Sequence, residues 1–345
     1  MDIRKLAMRA AAISASLLSA SGCSFSQFSR PSEVSVIPAR AQRGAGRPSH
    51  AKSGLLYLAD NSTGNVYSYS FPQGKYAGSF QLPSGNTSGE CTDPSGDLFV
   101  TTMNPPGGST VYEYAYGGST PINTLSDPGV AYGCAVDPNS GTLAVSNSND
   151  TQNPYYHNAG DVALYADASG QPSMYYAKTA QIGGFRFCGY DDKSNLYVTA
   201  VDNYQSGNYL VRLASGSSAF EMISLSKQLY GWGSVQWDGK HIAVSSVIDG
   251  RSNRGGSVVL YRLAFSGSAA TVVGTTKLKS EKDLYHGQIW IQGDVAVAVG
   301  PYKRGFQSAF LWSYPKGGTP SRTINRAGNR DVELFGVTVA VAKSG

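Results

Sequence analysis

The residues of this chain best suited to chemistry are scattered along it. Besides Cys23 there are three cysteines, Cys91, Cys134 and Cys188, with no Cys-x-x-Cys pair of the kind that clamps a metal. The four histidines are His50, His157, His241 and His286. No nucleophile elbow, phosphate-cradling glycine loop or pair of catalytic carboxylates stands out. What recurs is aromatic and basic side chains in polar segments: Tyr156 with His157, Arg186, Tyr230 with Trp232, Arg254, Tyr285 with His286, and Tyr302 with Arg304. Aromatic rings beside guanidinium groups are typical of binding surfaces. These are the candidate ligand-binding residues. Glu90 and Asp283 are weak candidates for holding a divalent cation such as Ca2+, which takes oxygen ligands, but no pattern sets them apart from isolated surface carboxylates.

The elements that would position these residues repeat. A short apolar run, a turn of Gly, Asp or Asn, a second run with period 2, a polar loop and a third run recur along the chain. Clear copies are Gly89-Glu90-Cys91-Thr92-Asp93-Pro94-Ser95-Gly96-Asp97-Leu98-Phe99-Val100-Thr101 and Gly133-Cys134-Ala135-Val136-Asp137-Pro138, followed by Leu143-Ala144-Val145-Ser146. The first apolar residues of the second runs are Leu56, Leu98, Leu143, Leu196, Ile242 and Val295. Their separation matches the ~40–50 residues of a four-stranded propeller blade. The first repeat starts at its second strand, Leu55 to Ala59, and Phe335 to Val341 supply an unpaired inner strand. Pairing the two closes the circle and covers exposed edges. The fold expected over residues 53–345 is therefore all-β: a six-bladed β-propeller of four-stranded antiparallel blades, closed by the C-terminal strand in the first blade.

Loop length separates the two faces. The turns from first to second strand are short, as at Asp93 to Asp97 and Asp238 to Lys240. The loops from second to third strand and from blade to blade are longer, and they hold most of the aromatic and basic candidates. Function concentrates in such loops. His157 and His286 alone of the histidines fall on this face, too few for a three-histidine zinc site. Cys91, Cys134 and Cys188 fall on successive inner strands. Inner strands that splay around a channel count against the short reach of a disulfide, so buried free thiols are the expectation, with a disulfide or a metal cluster as the alternative.

Residues 1–22 read as a lipoprotein-type signal peptide, with Arg4, Lys5 and Arg9 ahead of the short apolar run Ala10 to Leu18. Ala20-Ser21-Gly22-Cys23 resembles a bacterial lipobox, which implies lipidation of Cys23. Ala20 stands where Leu is usual, so ordinary cleavage nearby stays open. Ser24 after the cysteine resembles outer-membrane sorting. Residues 23–52 lack hydrophobic periodicity and read as a flexible basic tether. The protein is thus expected to be exported, either lipid-anchored at the outer membrane or periplasmic or extracellular. The net charge of +5 resides in leader and tether, leaving the remainder at −1, which argues against nucleic acid. Within it, residues 53–200 carry −8 and residues 201–345 carry +7.

The inner strand ending in Asp, the Gly turn and the Leu/Val-Tyr/Phe-Val strand resemble NHL-type propellers over roughly residues 53–341. The Gly-Glu-Cys-x-Asp run at Gly89 and the Gln-Trp-Asp-Gly-Lys run at Gln236 are similar to those of a family of exported bacterial propeller lipoproteins. Propellers host many unrelated functions. The leading expectation is a non-catalytic, monomeric binding or scaffold propeller, without a cofactor. It would present its long-loop face to an envelope protein, peptide or glycan and meet the membrane through its anchor alone. The alternative is a metal-dependent lactonase or lyase of the gluconolactonase or NHL-lyase type.

Overall fold

A computed structural model of the chain describes residues 54–103, 108–150, 160–176, 181–202, 207–231, 233–248, 258–280, 287–301, 307–325 and 333–342. The expected leader, the tether and Cys23 lie outside these residues.

The strands form six sheets. Blade 1 joins β1 (Gly54–Asp60), β2 (Asn65–Phe71) and β3 (Tyr76–Gln81) to the last strand, β25 (Leu334–Ala340). Blade 2 holds β4 (Asn86–Thr92), β5 (Leu98–Met103), β6 (Ser109–Tyr114) and β7 (Pro121–Asp127). Blade 3 holds β8 (Gly129–Val136), β9 (Leu143–Asp150), β10 (Asp161–Tyr165) and β11 (Ser173–Tyr176). In blade 4 they are β12 (Gly184–Tyr190), β13 (Leu196–Val201), β14 (Asn208–Leu213) and β15 (Glu221–Met222). Blade 5 contains β17 (Val235–Trp237), β18 (Ile242–Val247), β19 (Val258–Ser266) and β20 (Ala269–Leu278). Blade 6 is built of β21 (Ile289–Gln292), β22 (Val295–Pro301), β23 (Gln307–Ser313) and β24 (Arg322–Ile324). One strand was not foreseen. The two-residue β16 (Ser224–Leu225) lies parallel to β20 and makes blade 5 five-stranded.

Closure is as the unpaired ends require. β25 runs antiparallel to β1, with Leu55 opposite Ala340, Leu56 opposite Val339 and Leu58 opposite Val337. The inner strands touch in the order β25, β4, β8, β12, β17, β21 and back to β25, so the ring is complete.

The inner strands of blades 2 to 5 are each followed by an aspartate that holds the short turn. Asp93 Oδ1 accepts from the amides of Ser95 and Asp97, and Asp191 Oδ1 accepts from those of Lys193 and Asn195. This is Asx-turn chemistry. Apolar faces of neighbouring blades pack together. Phe99 and Val111 of blade 2, for example, share a cluster with Leu143, Val145 and Tyr165 of blade 3.

Candidate functional site

Three successive inner strands break their ladders. The register slips between Thr87 and Glu90 in β4, around Ala131 in β8, and between Phe185 and Cys188 in β12. Each slip is a bulge, which kinks the strand and re-aims a side chain. A hydroxyl on the adjacent second strand holds the irregular backbone. Thr101 Oγ1 takes the Gly89 amide at 2.9 Å, and Thr199 Oγ1 takes the Phe187 amide at 3.2 Å. Ser146 Oγ, which donates to Gly133 O at 3.2 Å, and Thr199 Oγ1 also reach the next blade. Ser146 Oγ meets Arg186 O, and Thr199 Oγ1 lies 2.6 Å from Gly233 O. Ser245 Oγ accepts from the Ser234 amide at 2.7 Å. Blades 1 and 6 carry Ala59 and Ala298 at this position.

At the blade 6 to blade 1 seam a side-chain amide takes over. Gln288 Oε1 accepts from the amides of Glu90 at 2.9 Å and Val337 at 3.3 Å, and its Nε2 donates to Glu90 O at 2.6 Å. One buried side chain thus ties blades 6, 1 and 2 together.

The re-aimed residues meet on the axis. Tyr132 of blade 3, Phe187 of blade 4 and Phe335 of blade 1 form a triangle with ring centroids 5.1, 5.2 and 5.9 Å apart. Edge-to-face and offset packing of this kind favours aromatic rings beyond the area they bury. The Arg186 guanidinium lies 4.9 Å from the Tyr132 ring centroid. Burial lowers the pKa of Arg186, while Tyr132 acts to raise it. Tyr132, Arg186 and Phe335 sit in the first half of their strands, the end that faces the long loops, and Phe187 sits at the midpoint of β12.

Of the sequence candidates, the structure describes Arg186, Tyr230 and Glu90. Arg186 is in the axial cluster. Tyr230 is exposed, with its hydroxyl 3.2 Å from Gln228 Oε1. Glu90 is fully buried, with neither carboxylate oxygen hydrogen-bonded. Tyr156, His157, Trp232, Arg254, Asp283, Tyr285, His286, Tyr302 and Arg304 lie outside the described residues. Among the described residues, no three His, Cys, Asp or Glu side chains gather as a metal site.

Burial raises the Glu90 pKa well above its ordinary 4.5. The stability sustained by the neutral acid is complete below pH 4.5 and declines as pH rises toward the folded-state pKa. We expect Glu90→Gln to melt with the wild type at pH 5 and above it at pH 8 in scanning calorimetry. Equal melting temperatures at pH 8 would show that the carboxyl is not desolvated.

The cysteine expectation is corrected. Cys91 and Cys134 form a disulfide, with Cα atoms 5.6 Å apart. The inner strands do not splay there because both carry glycine. A Cβ on Gly89 would stand 2.7 Å from Gly133 Cα and 2.8 Å from Tyr132 O, so the two backbones are in direct contact. Cys188 is free and buried, its thiol pushed up to about 12 by desolvation.

A second polar cluster escaped the sequence reading. Asp127 ends β7, Asn147 lies on β9 and Asp161 starts β10, all buried where blade 2 meets blade 3. Asn147 Nδ2 donates to Asp161 Oδ1 at 2.6 Å and to Asp127 Oδ1 at 3.3 Å. Tyr165 Oη donates to the backbone oxygen of Ser126 at 2.9 Å and lies 3.4 Å from Asp127 Oδ1. Burial first, and the Asp161 charge second, push the Asp127 carboxyl up to about 7.

Sheet pairing, blade count and ring order define the molecule as a closed six-bladed β-propeller. No protein-family model matches the chain, and no curated protein matches its sequence. Among solved structures, it is similar to the propeller domain of Cps50 (Swd1) from Myceliophteria thermophila, with 9% identity, TM-score 0.48, and coverage of 80% of this chain and 84% of that one. It is also similar to hydrazine synthase from Kuenenia stuttgartiensis, with 14% identity, TM-score 0.48, and coverage of 79% and 80%. Dihydro-heme d1 dehydrogenase NirN shares 17% identity at TM-score 0.42, over 84% of this chain and 57% of that one. Likenesses this distant add nothing to what the strand pairing shows.

Proposed function

We propose that the chain is a binding or scaffold propeller of NHL type, exported and lipid-anchored through Cys23 at the bacterial envelope. It presents its long-loop face to a protein, peptide or glycan. The observation that supports this reading is the filled axis. Tyr132, Phe187 and Phe335 pack across it, so recognition falls to a face of the ring. The Arg186–Tyr132 stack lies at the loop-rich end and offers cationic and aromatic chemistry together.

The test is a screen of the purified protein against glycan and peptide arrays, followed by affinity measurement on each hit. Arg186→Met keeps the length and apolar stem of the side chain and removes its charge. We expect it to weaken a true ligand about tenfold or more, the loss typical of a buried charged contact. Hits that bind a normally melting Arg186→Met variant as tightly as the wild type would overturn the placement on this face.

A further inference from the structure

The geometry points to an oxyanion site at the short-turn end of the seam between blades 5 and 6, centred on Arg262. Its ligand is a phosphate or carboxylate group held by the guanidinium fork. The site is separate from the axial cluster and from the loop-rich face.

Arg262 lies on β19, opposite Ala243 of β18 and Gly274 of β20. Residues paired in this way share one face of the sheet. Ala243 packs with Phe310, Trp312 and Tyr314 of blade 6, so the Arg262 side chain enters that seam. Its guanidinium lies on the bare backbone of Gly274. A Cβ there would collide with Nη2 and stand 2.5 Å from Cζ and Nε. Two residues along β20, Thr276 Oγ1 donates to Pro315 O at 2.8 Å and holds the blade 6 turn against the same face. The guanidinium is thus positioned before any ligand arrives, which lowers the cost of binding.

The second observation concerns partners. Arg262 Nε is buried with no hydrogen-bond partner. Buried donors are normally satisfied. Among the described residues Arg262 forms no ion pair. The acid of this corner is already engaged. Asp238 Oδ1 accepts from the amides of Lys240 and His241, and Oδ2 accepts from the Tyr314 hydroxyl at 2.7 Å. His241 Nδ1 stands 3.9 Å from the same Oδ2. The Arg262 charge is felt at Tyr314: burial and Asp238 raise the phenol pKa, and Arg262 lowers it.

The surroundings favour an anion. Lys240 and Lys316 are exposed on the two turns that flank the seam. Residues 201–345 carry a net +7, a field that draws negative ligands to this half of the ring. Arginine presents a planar fork of donors that matches the paired oxygens of a phosphate or carboxylate. With no carboxylate of its own among the described residues, that fork serves an outside ligand.

The purified protein is melted in inorganic phosphate, in acetate and in chloride, all at one ionic strength. Phosphate or acetate at about 20 mM is expected to raise the melting temperature by about 3 °C over chloride. The probe with the larger shift names the ligand class. Arg262→Met keeps the apolar stem and is expected to melt alike in all three salts. Gly274→Ala leaves the charge in place and displaces only the end of a flexible side chain. It is expected to fold as the wild type does and to show less than half of the wild-type shift. A wild type that melts alike in the three salts would overturn the proposal. So would a full shift retained in Arg262→Met or in Gly274→Ala, because the anion would then be acting elsewhere on the surface.

Discussion

A chain truncated before Leu334 is expected to lose its cooperative melt and to elute as aggregate. β25 is the inner strand of blade 1, and six residue pairs join it to β1. It carries Leu334, Val337 and Val339, all buried. Three such side chains contribute about 4.5–9 kcal/mol at 1.5–3 kcal/mol each. A typical domain holds a net stability of about 5–15 kcal/mol, so the loss is of the same size as the whole. The damage also spreads through polar contacts. Gln288 donates its backbone amide to Phe335 O and accepts at Oε1 from the Val337 amide. Without β25, both the edge of β1 and the seam to blade 6 are exposed, and a bare edge invites pairing with other chains. Size-exclusion chromatography and scanning calorimetry provide the check. A truncated chain that stays monomeric and melts within a few degrees of the intact protein would mean that the ring does not depend on its closing strand.

The second large effect is loss of the Cys91–Cys134 disulfide. It closes a loop of sequence separation 43, worth roughly 4 kcal/mol of unfolded-state entropy at that length. At about 2 °C per kcal/mol for a propeller of this size, the double variant Cys91→Ser, Cys134→Ser should melt about 8 °C below the oxidised wild type. Reductant should lower the wild type toward the variant and leave the variant where it is. Both cysteines are buried in the same cluster with Phe99, Leu143 and Tyr165, so each single serine variant also loses packing. The comparison with reductant isolates the bond from that packing loss. No change in the wild type under full reduction, confirmed by thiol counting in denaturant, would rule out the bond as a stabiliser.

The fold was legible because each blade must solve the same burial problem with the same alternation. Leu98, Leu143, Leu196, Ile242 and Val295 each begin a second strand where the repeat placed it. Closure was legible because a first repeat without an inner strand and a last strand without a blade can satisfy one another. The extra strand β16 was not, since two residues, Ser224 and Leu225, carry no period. The disulfide was hidden by the same regularity that revealed the blades. Spacing at the blade period gives sequence distance, whereas the approach of β4 to β8 depends on Gly89 and Gly133 lying against each other. Those glycines stand within two residues of the cysteines and were the available signal. The hydroxyls of Thr101, Ser146, Thr199 and Ser245 also recur three residues after the first apolar residue of the second strand in blades 2 to 5. Their bonds to bulged backbone and to the following blade become apparent only when neighbouring sheets are in place. The Asp127–Asn147–Asp161 cluster draws on two blades, and no linear pattern brings its members together.

The split of blade 1 between the two ends of the chain bears on how the molecule comes into being. Among the described strands, β1 to β3 leave the ribosome first and β25 last, with five whole blades made between them. During all of that time β1 has no neighbour on its inner side, and no partly made chain can supply one. Contacts this distant in sequence form late and slowly. The ring therefore cannot assemble blade by blade to completion during translation. It remains an arc with a sticky flank until the final strand arrives, and anything that guards the nascent chain from self-association must act over that interval.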